Sequence, residues 1–218
     1  MKNRTAYLNN RNLIASAMVC VSLVFIRYLW TTNLYYIFLL WNLFLAFLPL
    51  LISEILIRKA VLKFVAFLLM GIWLIFLPNA FYVVTDLIHI RYSTFPFFDG
   101  VMISLFAVLC LYIGFRSMMN IKLFSKTSFS YLNKWMPEKG VLFLSAFGIF
   151  IGRFLRYNSW DIITNPHSLL KDCLNFLISP VEHYKVWLFT AIFGLVLTGL
   201  YYIFQKIAGL YDAFTASR

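Results

Sequence analysis

The stretch LYYIFLLWNLFLAFLPLLIS, Leu34 to Ser53, carries no charged residue and is apolar on every side of a helix. A hydrocarbon core of about 30 Å takes roughly 20 such residues to cross. The run shows no strand alternation, so it reads as a helix that satisfies its own backbone in lipid and not as one strand of a barrel. Outward from it, mostly apolar windows lie near 13–30, 61–78, 100–119, 140–157 and 186–205, making six in all. With 62% hydrophobic and 12% charged residues, and a mean hydropathy of +0.83, the chain has too little polar surface for a soluble domain. The expectation is an all-α, polytopic transmembrane bundle of about six spans, with residues 1–218 forming a single transmembrane domain.

The net charge of +11 is explained by topology. With the N-terminus inside, thirteen Lys and Arg fall on the inner side and six on the outer: Arg27, Arg91, Arg153, Arg156, Lys171 and Lys185. The positive-inside rule therefore places both termini in the cytoplasm. The basic, aromatic segment from Asn120 to Gly140 suits anionic lipid at the inner surface, and nucleic acid is not an expected partner. Arg27 and Arg116, near span ends, are placed to snorkel, and Glu54 to pair with Arg58 at i+4. Small residues open the first apolar run instead of following it, so it reads as an uncleaved span. The three cysteines imply no disulfide framework.

Two polar stretches interrupt this pattern, LPNAFYVVTDLIHI (Leu77 to Ile90) and GRFLRYNSWDIITNP (Gly152 to Pro166), and the topology puts both on the extracytoplasmic side. Pro78 removes a backbone donor, which predicts a broken or kinked helix after it. Beyond that, Tyr82, Asp86 and His89 at i, i+4 and i+7 share one face of a short helix. A carboxylate and an imidazole three apart can act as base and partner or share a divalent metal, with Asp99 as a third group across the loop. Asp86, His89 and Asp99 are thus the candidate catalytic residues; the other reading is a structural hydrogen bond capping the broken helix. No cofactor is specified.

In the second stretch Arg153 and Arg156, three apart, form a pair of guanidinium forks suited to phosphate or carboxylate, with Asn158 and Asp161 beside them and Tyr82 opposite as candidate substrate contacts. The alternative is a salt bridge to Asp86, Asp99 or Asp161. Gly148 and Gly152 form a GxxxG pattern that favours close helix packing within the chain. After Asn165 and Pro166, the residues Leu169, Leu170, Cys173, Leu174, Leu177 and Ile178 recur at helical spacing opposite Lys171, Asp172 and Asn175, predicting an outer interfacial helix near 167–179.

These two stretches resemble the signature regions of the bacterial integral membrane proteins grouped as domain-of-unknown-function family 1361, and the likeness covers nearly the whole chain. The family pattern carries Pro where this chain has Phe81, and an aromatic–Asp pair that falls on Phe98 and Asp99. The resemblance implies a multi-pass protein of a bacterial cytoplasmic membrane and assigns no catalytic residue. Two functions stay open. One is an outward-facing site that binds or processes a phosphate-bearing lipid or a lipid-linked envelope precursor, with membrane lipids as partners. The other is a transporter, or a non-catalytic accessory or scaffold subunit with protein partners. No HExxH, GxSxG, P-loop or CxxC motif supports a known enzyme chemistry.

Overall fold

A computed structural model describes residues 10–128 and 137–216. Residues 129–136, with the Tyr131, Lys134 and Trp135 expected at the inner surface, lie outside the described residues. The fold is the expected all-α membrane bundle. Helix α1 is Asn10–Thr31, a 3-10 turn spans Tyr35–Ile37, α2 is Phe38–Arg58 and α3 is Lys63–Tyr82. A 3-10 helix over Val83–Tyr92 leads to α4, Pro96–Ser128. Then follow α5 (Glu138–Phe154), the short α6 (Asp161–Thr164), α7 (Pro166–Ile178) and α8 (Tyr184–Ala216).

Among the described residues, five helical stretches are long and apolar enough to cross a membrane: Asn10–Thr31, Tyr35–Arg58, Lys63–Arg91, Pro96–Lys126 and Tyr184–Gly209. Helix α5 has 17 residues and so reaches about 26 Å, the short end of what a bilayer requires. It nonetheless packs along α3 and α8 as a sixth member of the bundle.

The helices alternate in direction, which their end contacts make plain. At one end Arg27, late in α1, meets Asp99 in the first turn of α4, while Asn42 near the start of α2 and Arg153 near the end of α5 both meet Asp86. At the other end Arg116 donates to Asn10 and Glu54, each at 2.8 Å, and Lys122 pairs with Glu138. Glu54 also takes Arg58 at 3.2 Å, the expected i+4 pair. Arg27 and Arg116 do not snorkel: each is only 6% exposed and turned into the bundle, because a carboxylate on a neighbouring helix offers more than the interface does.

Lipid supplies no hydrophobic drive between spans, so association rests on close packing and interhelical polar bonds. Trp73 is 2% exposed and donates its indole N–H to Ser117 Oγ at 3.2 Å; Asn120 donates to Ser53 at 3.1 Å. A Cβ at Gly114 would stand 2.5 Å from the Phe81 ring, and one at Gly148 would stand 2.9 Å from Pro78 Cγ. The glycine pair on α5 therefore seats α5 against α3 of the same chain.

Helix α3 stays α-helical for a turn beyond Pro78 before tightening to 3-10 at Val83. Ten residues is long for that geometry, which has three residues per turn and eclipses i and i+3. Asp86 and His89 consequently stand in one row, and Tyr82 belongs to the preceding α-turn.

Candidate polar site and cavity

Asp86 is 1% exposed, and its two oxygens are held from two helices. Arg153 Nη1 donates to Oδ1 at 2.9 Å, and Asn42 Nδ2 donates to Oδ2 at 2.9 Å. The rest of the Arg153 fork is also engaged: Nη1 reaches the Tyr82 hydroxyl at 3.3 Å, and Nη2 reaches the Thr85 carbonyl at 3.3 Å and His89 Nε2 at 3.4 Å. The guanidinium also lies 5.5 Å from the centre of the Tyr82 ring. A buried ion pair persists only when its remaining donors and lone pairs are largely satisfied; here both terminal nitrogens of Arg153 and both oxygens of Asp86 have partners.

His89 stands 3.9 Å from Asp86 Oδ1, too far for a direct hydrogen bond, and its Nδ1 lies 2.9 Å from the Tyr35 hydroxyl. A guanidinium only donates, so Nε2 facing Arg153 acts as acceptor and the ring proton belongs on Nδ1, donated to Tyr35. His89 is wedged edge-on against Tyr35 and tilted against Phe38.

Asp99 does not join this group. Arg27 grips it with both ends of its fork, Nε to Oδ1 at 2.6 Å and Nη2 to Oδ2 at 3.1 Å. Tyr36 donates to Oδ2 at 2.7 Å and Ser93 donates to the same oxygen. With 0% exposure and a position in the first turn of α4, where the helix dipole favours a carboxylate, Asp99 is a structural anchor between α1 and α4. The two clusters adjoin through Tyr35 and Tyr36. Among the described residues no three His, Cys, Asp or Glu side chains converge as metal ligands.

The two arginines of the second stretch do not share a helix face. Helix α5 ends at Phe154 with Leu155 as its cap, and Arg156 follows with φ of 64°. This left-handed residue reverses the chain, as the position after a C-cap commonly does. Arg156 is exposed while Arg153 turns inward. Asp161 serves the same loop: its Oδ2 accepts the Asn158 backbone N–H at 2.5 Å and its Oδ1 accepts Thr164 Oγ at 3.0 Å. The backbone N–H of Asn158 holds the Asp161 carboxyl below its usual range.

Helices α2 and α5 flank α3 without packing closely on each other, and the gap between them is a cavity of about 370 Å³. Its apolar walls include Leu45, Leu74, Ile75, Leu144, Phe147 and Ile149. Its polar groups are Asn42, Asn79, Tyr82, Asn158 and Ser159, and Gly148 and Gly152 keep it open on the α5 side. Asn42 and Tyr82 belong both to this wall and to the Arg153–Asp86 network. Trp41 and Trp160 meet nearly perpendicular at 6.3 Å beside it. Helix α7 closes the site through Leu169, and is fastened by Tyr157 donating to Asp172 at 2.9 Å and by buried Phe176, whose carbonyl accepts the Trp187 indole at 3.2 Å. As expected, α7 is amphipathic; Leu170, Leu174, Leu177 and Ile178 remain exposed.

Residues 41–200 match the family described as "Protein of unknown function (DUF1361)". The chain belongs to this family. No curated protein and no solved structure matches it. The match begins at Trp41, beside the cavity, and takes in both polar stretches of this DUF1361 protein, so Asn42, Asp86 and Arg153 lie within the family region while Arg27 and Tyr35 precede it. It is an integral, multi-pass membrane protein.

Sequence reasoning reached Asp86, His89, Arg153 and Tyr82 but passed over Asn42, Tyr35, Tyr36 and Asn79. Asn42 carried a signal, as a lone amide in an apolar span demands a polar partner.

Proposed function

We propose that this DUF1361 protein binds an amphiphilic lipid in the cavity between α2, α3 and α5, with the acyl part against Leu45, Leu74 and Leu144 and the polar head at the Asn42, Asn79 and Tyr82 rim. The observation that carries this reading is the cavity itself: it is of ligand size, apolar for most of its wall, and polar where it meets the Arg153–Asp86 pair. The site belongs on the extracytoplasmic side, since the opposite end of the bundle collects Arg58, Lys59, Lys63, Arg116, Lys122, Lys126 and Lys139.

Arg153 acts here as a strut and not as a ligand for phosphate, because Asp86, Tyr82, Thr85 and His89 occupy its fork. Arg156, exposed at the rim, is the guanidinium available to a phosphate-bearing head group. Asp86 is likewise engaged at both oxygens, so binding or carriage of lipid fits the geometry better than acid–base chemistry through that carboxylate. A bacterial cytoplasmic membrane, with envelope lipids as ligands, is the setting this implies.

Native mass spectrometry of the protein released from its own membrane tests the reading. A lipid adduct in wild type, lost when Ile75→Trp fills the cavity, is the expected result. Wild type free of lipid but bound to protein partners would instead identify an accessory subunit.

A further inference from the structure

The cavity has an unusual polarity. Among the described residues that line it, none is charged. Its three carboxamides are all turned the same way by their neighbours. Asn42 Nδ2 is committed to Asp86 at 2.9 Å; Asn79 Nδ2 to the Phe76 carbonyl at 3.0 Å and Ser159 Oγ at 2.9 Å; Asn158 Nδ2 to Asp161 at 3.5 Å. Each carboxamide nitrogen thus commits at least one N–H to the protein, Asn42 and Asn158 keeping a second to give, and among the described residues nothing donates to the three oxygens. The Tyr82 hydroxyl accepts from Arg153 and keeps its own proton to give. A ligand's polar part therefore meets three carboxamide acceptors together with donors from Tyr82, Asn42 and Asn158, all of them neutral.

Phosphate is acceptor-only when ionised and would set its oxygens against carboxamide oxygens, with no cation in the wall to offset them. A hydroxyl both donates and accepts, and several hydroxyls on one small head match this mixed set of neutral acceptors and donors. An ionised group brought into an uncharged, largely apolar lining is costly, so the cavity discriminates against a charged head. The Trp41 ring at the edge of the cavity adds an apolar face of the kind that a sugar ring's C–H surface covers.

We propose that the polar group recognised by the cavity is an uncharged, hydroxyl-bearing head, a glycosyl or glycerol moiety, read by the oxygens of Asn42, Asn79 and Asn158. The inference rests on the lipid-binding reading and names its ligand class. It also replaces phosphate as the recognised chemistry inside the cavity, leaving Arg156 outside it.

The test is a titration of the full chain in phosphatidylcholine nanodiscs, following tryptophan emission. The added probes are monoglucosyl diacylglycerol, diacylglycerol and phosphatidic acid of the same acyl chains, and free glucose. The neutral glycolipid or diacylglycerol should half-saturate at a mole fraction at least tenfold below phosphatidic acid. Asn79→Leu and Asn158→Leu should each erase most of that preference; the second lies in the loop, and the Asp161 cap bonds to its backbone, so the fold survives. Saturation by free glucose would show that the head alone suffices, and preference for glucolipid over diacylglycerol would assign the sugar. Phosphatidic acid binding as well as the neutral lipids would overturn the inference and leave lipid binding standing. Failure of every lipid to saturate would overturn both.

Discussion

Replacing Arg153 by Met should cost far more than its place near a helix end suggests, because the loss falls on its partner. Asp86 is 1% exposed and would keep only the Asn42 amide at 2.9 Å after its 2.9 Å contact with Arg153 is gone. Stranding a buried charge in this way costs about 3–5 kcal/mol. At roughly 2–4 °C per kcal/mol for a chain of this size, the unfolding midpoint should fall by about 10 °C. The converse change is milder. In Asp86→Asn the Arg153 side chain, 19% exposed, still has Tyr82, Thr85 and His89 as acceptors, so about 1–3 kcal/mol is expected. The double variant should return to within about 1 kcal/mol of wild type, since a neutral Asn at 86 needs no counter-ion and still accepts from Asn42. The buried thiols of Cys20 and Cys110 provide the assay: a thiol-reactive fluorophore reports unfolding in mild detergent as they become accessible. An Arg153→Met midpoint within 2 °C of wild type, or a double variant as unstable as the sum of the singles, would refute the view that Asp86 and Arg153 form one buried unit.

Further outcomes follow from other parts of the fold. Gly148→Ala puts a methyl 2.9 Å from the rigid Pro78 ring, so α5 must move off α3; a loss of about 1–3 kcal/mol by the same thiol assay is expected, and no change would place the close approach elsewhere. Arg156→Gly relieves a non-glycine φ of 64° and should stabilise the chain by about 1 kcal/mol, with lipid retention unchanged if Arg156 serves only the turn and reduced if it meets a head group. Asp161 has a depressed carboxyl pKa when folded, so its contribution to the loop is present above the ordinary carboxylate range and is lost as pH falls through the lowered value. Emission of Trp160, with the other five tryptophans replaced by Phe, should therefore hold steady from neutral pH to near 4 (about the unperturbed value) and shift only below it, and Asp161→Asn should abolish that acid transition.

The bundle was legible because each span must carry its own backbone bonds in lipid, which leaves a run of apolar residues that no other fold requires. The helices appear where the windows near 34–53 and 186–205 place them, and the GxxxG pair at Gly148 and Gly152 does pack within the chain. The polar site was legible in half. Asp86, His89 and Arg153 stood out because charge is rare in this sequence, but their partners Asn42 and Tyr35 lie 44 and 54 positions away from the residues they bond, in stretches whose local pattern says only apolar helix. Arg27 and Asp99 are separated by 72 positions, so a reading built on neighbours assigned the first to the interface and the second to the wrong cluster. Helix type was also hidden, since α and 3-10 turns share a composition. Tyr82, Asp86 and His89 nonetheless face the same way, all three meeting Arg153, although the turn that carries the last two is 3-10. Arg156 left the face of Arg153 because α5 ends two residues earlier, at Phe154, where no glycine marks the stop.

Photo-crosslinking in the native membrane tests the central claim most directly. A lipid with a photoreactive group in its acyl chain should label peptides containing Leu45, Leu74 and Ile149 in wild type, and labelling there should vanish when Ile75→Trp fills the cavity while the exposed leucines of α7 are still labelled. Equal labelling of the three cavity residues in both proteins would mean that lipid only coats the bundle, and the cavity would not be its binding site.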